Sequence, residues 1–151
     1  MSKIANYLRG HLLGEVDFRP DIRQIYTSDA GVLSLAPEMV VSPRNTDDIR
    51  KVARLSWQLA ERGHIKAITV RGAGRGVMGG AIGQGAIVAT TRHMNNIYEY
   101  DPKQRLVRLQ SGATVGALRQ ALNLQGTDVP ALDGVDAHCT VGGAIAESLA
   151  G

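Results

Sequence analysis

The chain has 151 residues, 44% hydrophobic and 21% charged, with a formal net charge of +3 spread along its length. That size fits one domain with a real core, the ordinary composition excludes a disordered chain, and the mixed signs of "PRNTDDIRK" and "DPKQRLVR" exclude a nucleic-acid-binding stripe. No run approaches the roughly 18 apolar residues of a membrane span, and the single cysteine, Cys139, excludes an internal disulfide and a CxxC metal spacing, so the bulk reading is a soluble cytoplasmic domain.

Residues 2–13 carry Ile4, Tyr7, Leu8 and Leu12 near helical spacing, which predicts a terminal helix packed on the domain. "DIRQIYTSDAGVLS" lacks periodicity and reads as loop. "PEMVVSP" predicts a short buried strand closed by Pro43. "NTDDIRKVARLSWQLAERG" predicts the strongest helix of the chain: Asn45 or Thr46 caps it, Asp47 and Asp48 suit its positive end, and Gly63 stops it. Its apolar stripe is Ile49, Val52, Ala53, Leu59 and Ala60, with Trp57 as a packing residue.

"KAITV" then reads as a strand, followed by a glycine-rich loop and a second strand, "AIVATT". "NIYEYD" and "RLVRLQ" alternate around the turn "DPKQ" and predict a hairpin. "TVGALRQALNLQG" predicts a helix capped by Thr114 and closed by Gly126, and "TVGGAIAESLAG" the start of another. The fold class is α+β. One sheet is expected from residues 39–42, 67–71, 86–91, 97–101 and 105–110, with the helix at 46–62 over it.

The loop "RGAGRGVMGGAIGQG", Arg71 to Gly85, holds seven glycines in fifteen residues. It is not a Rossmann fingerprint: the third glycine position falls on Val77 and a strand follows where a helix should. It is not a Walker A loop either, because Gly80 and Ala81 stand where Lys and Ser/Thr are needed. Two readings stay open. Successive backbone N–H groups in tight turns form a concavity for an anion such as diphosphate, or the stretch is a wide hairpin loop.

Five landmarks bear on that choice: "MVVSPRNTDDI", "RGAGRGVMGG", "HMNNIYEYD", "LQSGAT" and "TVGGAIA". In this order they resemble the FAD-binding (PCMH-type) domain of the vanillyl-alcohol oxidase / p-cresol methylhydroxylase superfamily. The branch they look most like is that of the glycolate oxidase FAD subunit and D-lactate dehydrogenase. The resemblance implies residues 1–38 as an N-terminal helix and lead-in and 39–151 as the flavin domain. It also implies a loop whose backbone wraps the FAD pyrophosphate through Gly72, Ala73, Gly74, Arg75, Gly76, Val77, Gly79 and Gly80. Gly112 would keep a strand end clear of the cofactor, and Thr140, Gly142 and Gly143 would line the flavin from the other side. FAD is expected to be non-covalent, because Gly76 stands where relatives with a covalent flavin carry His. No catalytic residue and no metal site is implied: His11, His64, His93 and His138 share no ligand spacing.

The departures from the family pattern are specific. Arg75 replaces the usual Thr and either pairs with phosphate or points to solvent. "VPALDGVDAHC" replaces a Pro-Asp-Pro-Ser-Ser segment, and Ser148 stands where Asn is common. Family chains run to several hundred residues, so the resemblance implies a PCMH-type domain truncated at its C-terminus. The parent would be an FAD-dependent oxidoreductase, a 2-hydroxy-acid dehydrogenase of glycolate or D-lactate type, taking its small-molecule substrate through a missing C-terminal domain. The 151 residues alone are expected to be inactive and to self-associate through the truncated edge. The alternatives are another flavoenzyme on this scaffold, of UDP-N-acetylenolpyruvoylglucosamine reductase or sugar-lactone oxidase type, or an inactive fragment.

Overall fold

The computed structural model describes residues 3–64 and 67–148, so the last three residues of the expected flavin domain lie outside it. The runs "MVVS" and "AIVA" are buried at every position because they lie side by side inside a covered sheet, where a strand is apolar on both faces. They are β2 (Met39–Ser42) and β4 (Ala86–Ala89), flanked by β1 (Glu15–Asp17) and β3 (Ile68–Arg71) in the order β1-β2-β4-β3. Strands β2 and β3 both run parallel to β4, with Val41 and Val70 each paired to Val88, and β1 is antiparallel to β2.

Helices α1 (Lys3–His11) and α3 (Thr46–Glu61) cover one face of this sheet. Leu8, Leu12, Val16, Met39, Val41, Val52, Ala86 and Val88 form its core, with Ile49 and Leu55 packed against them. Helix α2 (Pro20–Ile25) covers the other face, where Ile22 and Tyr26 pack on Val40, Ile87 and Ala89. Asn45 caps α3 by accepting from the Asp48 N–H at 2.9 Å. Asp48 itself is fully buried, and its carboxylate accepts from the backbone N–H groups of Leu13, Gly14 and Arg44 at 3.0, 2.9 and 3.0 Å. One side chain thus fastens the α1–β1 segment to the start of α3.

A second unit follows: β5 (Ile97–Asp101), β6 (Leu106–Leu109), α4 (Val115–Asn123), a 3-10 turn at Pro130–Leu132 and α5 (Val141–Ala146). Thr114 and Thr140 cap α4 and α5, and Gly126 adopts φ +70° beyond α4, as its sequence predicts. Val115, Leu118, Leu122, Val141 and Ala144 form its core against the hairpin.

Four expectations are corrected. The hairpin β5–β6 is a separate two-stranded sheet rather than part of a five-stranded one, and the fourth strand of the main sheet is β1. The stretch read as loop after Pro20 begins with α2. Ala53 and Ala60 are exposed, and Leu55 takes their place on the buried stripe of α3. Trp57 is 70% exposed, its indole N–H bonded to Glu61. After Gly80 the chain enters no helix before β4, so the dinucleotide-fold alternative has no counterpart. Among the described residues, no helix is long and apolar enough to cross a membrane.

Candidate functional site

The main sheet ends at Arg71, whose carbonyl still accepts from Thr90 N–H at 3.0 Å. Beyond it the chain leaves the sheet and turns back at Gly74, where φ is +66°, a value L side chains rarely adopt. The loop then approaches the second unit closely. A Cβ on Gly72 would lie 2.0 Å from Thr140 Oγ1, and one on Gly76 would lie 2.0 Å from Glu147 Oε1.

Between loop and second unit lies a cleft of about 300 Å³. Of the residues expected to hold a cofactor, Gly72, Ala73, Gly74, Arg75, Gly76 and Gly80 form one wall, and Thr140 and Gly143 stand on the other. Among the described residues, the backbone N–H groups of Ala73 to Gly80 donate to no acceptor within the chain. Those of Ala73, Gly74, Arg75, Gly76 and Gly80 belong to residues that line the cleft, and unused donors at a side-chain-poor cleft are the chemistry an anion such as diphosphate requires. The wall therefore fits the pyrophosphate of FAD.

Four expected residues do not line the cleft. Val77 is exposed on the outer side of the loop, and Gly79, at φ +77°, sits against Leu33. Gly112 is accounted for by internal packing, since a Cβ there would meet Thr90 O at 2.4 Å and Met94 O at 2.6 Å. Gly142 is likewise pressed on Ser111, whose carbonyl accepts its N–H at 3.0 Å. Gly142 thus joins residues 111–113 to the start of α5, where Val141 N–H also bonds Ala113 O at 2.8 Å, while Gly112 N–H bonds Met94 O at 2.8 Å.

Arg75 answers its open question in a third way. Its half-exposed guanidinium pairs within the chain: Nε and Nη2 both donate to Oδ2 of Asp136, the Nε contact at 2.8 Å. The hydrogen bond from His138 N–H and then that from Arg75 hold the Asp136 carboxyl below its ordinary value. Glu147, which sequence reasoning did not single out, puts a carboxylate on the cleft wall. Cys139 also lines it, and burial pushes its thiol up, so it stays protonated at neutral pH. A third missed residue, Arg71, lies behind the loop against Gly74.

A profile of the family described as FAD binding domain matches residues 37–151. The chain is 40% identical over 100 residues to a D-2-hydroxyglutarate dehydrogenase of Escherichia coli (strain K12), a match covering 66% of this chain and 10% of that protein. It is 29% identical over 131 residues to a glycolate oxidase subunit of Bacillus subtilis (strain 168), covering 85% of this chain and 27% of the other. In fold it is similar to a solved alkyldihydroxyacetonephosphate synthase, with a TM-score of 0.80 at 17% identity over 97% of this chain and 30% of that one. The chain thus spans between about a tenth and a third of the proteins it matches.

Proposed function

The chain belongs to the FAD binding domain family, and on that premise we propose that it is the flavin-holding portion of an FAD-dependent oxidoreductase of the 2-hydroxy-acid dehydrogenase type. The observation that carries this reading is the set of unbonded N–H groups of Ala73, Gly74, Arg75, Gly76 and Gly80, residues that line the cleft. Those amides would hold the two phosphates, with no Cβ at Gly72, Gly74 or Gly76 to keep them away. Thr140 and Gly143 would close the site from the second unit. Flavin, when bound, supplies a two-electron acceptor for the hydride of a hydroxyl-bearing carbon.

The flavin-holding part is residues 39–151, and residues 1–38 are a lead-in that adds α1, β1 and α2 to the same sheet. The substrate class comes from the relatives' names alone. The group that takes the substrate proton is assigned to the further length those relatives have. Self-association is proposed at the open edge of β6, where Leu106 is 59% exposed and, across a groove, Ile145 is 73% exposed.

The test is a titration of FAD into the purified chain, followed by flavin fluorescence, with a dye-reduction assay on 2-hydroxy acids. Part of a site forfeits binding energy while still ordering the loop, so affinity is expected around micromolar or weaker, about −8 kcal/mol or less favourable. Dye reduction is expected to be nil. Absence of binding at high FAD concentration overturns the cofactor reading; steady dye reduction overturns the assignment of the substrate machinery to other residues.

A further inference from the structure

The glycine loop has almost no side chains with which to pack itself, and a glycine segment loses more freedom on ordering than any other. Something outside the loop must give it one shape. Arg71 stands just before it, as the last residue of β3, and is only 8% exposed. Its Nη1 donates to the carbonyl of Ser28 at 2.8 Å and to that of Ala81 at 3.2 Å. The guanidinium carbon lies 5.3 Å from the centre of the Tyr26 ring. The head group also fills the hollow under Gly74, where a Cβ would meet Nη2 at 2.4 Å.

These contacts join both ends of the loop to a third segment. Ala81 closes the loop, and Ser28 belongs to the chain after α2, which also meets the loop where Ala30 N–H bonds Gly76 O at 3.2 Å. Burying a cation is unfavourable, and burial pulls the Arg71 guanidinium below its ordinary value, opposed by Tyr26 and Asp29. Arginine nonetheless remains charged at any working pH. A cation is therefore kept behind the loop, bonded to carbonyls, while the cleft opens on the other side.

We propose that Arg71 is a positioning residue that holds Gly72 to Ala81 in its anion-binding shape before any ligand arrives, braced by Tyr26 and Ser28. The proposal rests on the reading that this loop takes the FAD pyrophosphate. Lysine at this position keeps the charge but lacks the flat head group that lies over the Tyr26 ring and fills the hollow under Gly74 while one nitrogen bonds both carbonyls.

The experiment compares the chain with Arg71→Lys and Tyr26→Leu by amide hydrogen exchange and by FAD titration. In Arg71→Lys, exchange of the Ala30 and Ile82 amides, whose N–H groups bond the loop carbonyls of Gly76 and Gly79, should quicken by about tenfold or more, while Ile87 and Val88 stay protected, and FAD affinity should fall about tenfold. Tyr26→Leu should produce a smaller change at the same amides. For Arg71→Ala, millimolar guanidinium should restore part of this protection, which a general loss of stability would not allow. Unchanged exchange at Ala30 and Ile82 with unchanged affinity in both variants overturns the proposal. So does acceleration spread evenly over Ile87 and Val88 in Tyr26→Leu as well as Arg71→Lys. If the unaltered chain binds no FAD yet the Ala30 and Ile82 amides respond as described, the positioning role stands and the cofactor reading fails.

Discussion

Arg75, on the glycine loop, reaches the second unit at Asp136, and both of its bonds end on the same carboxylate oxygen. The family pattern has Thr at this loop position, so an arginine has entered the site together with a carboxylate that occupies it. An exposed pair of this kind contributes little to folding. Its larger effect is on charge: a cation beside the loop proposed to take the pyrophosphate is neutralised. Asp136→Asn should therefore tighten FAD binding by a few-fold, more at low ionic strength than high, with little change in the unfolding midpoint. A weaker affinity in a fluorescence titration would mean that the pair holds the loop open for the ligand.

Gly74 and Gly76 should respond differently to the same added methyl. Gly74 has φ +66° and lies on the Arg71 guanidinium, so Gly74→Ala should lower stability by about 1–2 kcal/mol. Gly76 meets only the tip of the exposed Glu147 side chain. Gly76→Ala should leave folding within about 0.5 kcal/mol while weakening FAD, since its Cβ enters the cleft. Denaturant unfolding and flavin titration on each variant separate the two effects; equal loss of stability in both would contradict the geometry.

Asp48 tests how the N-terminal segment is attached. Removing its buried carboxylate leaves three part-buried N–H groups, those of Leu13, Gly14 and Arg44, without that acceptor. Asp48→Ala should cost about 2–4 kcal/mol in urea unfolding, and Asp48→Asn less, because one acceptor remains. A change under about 0.5 kcal/mol would show that water replaces these bonds.

Acid should loosen β1 first. Glu15 accepts from His93 at 2.5 Å and from Arg44 at 3.0 Å. Burial works to raise its carboxyl, but the bonds from His93 and Arg44 and the charges of His93 and Arg92 outweigh it, so its pKa lies below the ordinary 4.5. A carboxylate depressed in the folded state stabilises fully above its unfolded value and loses that contribution as pH falls through the folded one. Exchange at Val16 should thus quicken below about pH 4.5, and Glu15→Gln should flatten that dependence.

The parts of the fold that could be read in the sequence are those whose cause is local. Strands β2 and β4 show as unbroken apolar runs because both faces are covered, and α3 shows through Asn45 and its stripe. Strand β1 could not be seen: it has three residues, and its attachment depends on Asp48, more than thirty residues later. Helix α2 has no fully buried residue to mark a stripe. Alternation found the β5–β6 hairpin, but periodicity does not say which sheet a hairpin joins. In the site, the glycines flagged the loop, yet Gly112 and Gly142 owe their identity to packing against Thr90 and Ser111. Ser148, where Asn is common in the family, has φ +54°, a conformation Asn tolerates better than most residues. Asp136 could not be matched to Arg75 because only folding brings them together. Arg71 did leave a signal, a charged residue ending an apolar strand before seven glycines.

We propose that the amides of the glycine loop receive the FAD pyrophosphate. Titrating FAD into the isotopically labelled chain and following its amide resonances tests this directly. Saturable shifts should concentrate on Gly72 to Gly80, with Thr140 and Gly143 responding across the cleft and Gly112 little affected. Inorganic pyrophosphate should move a subset of the loop signals in the same direction. Shifts confined to the groove beside β6, with the loop amides unmoved at saturation, would contradict the claim.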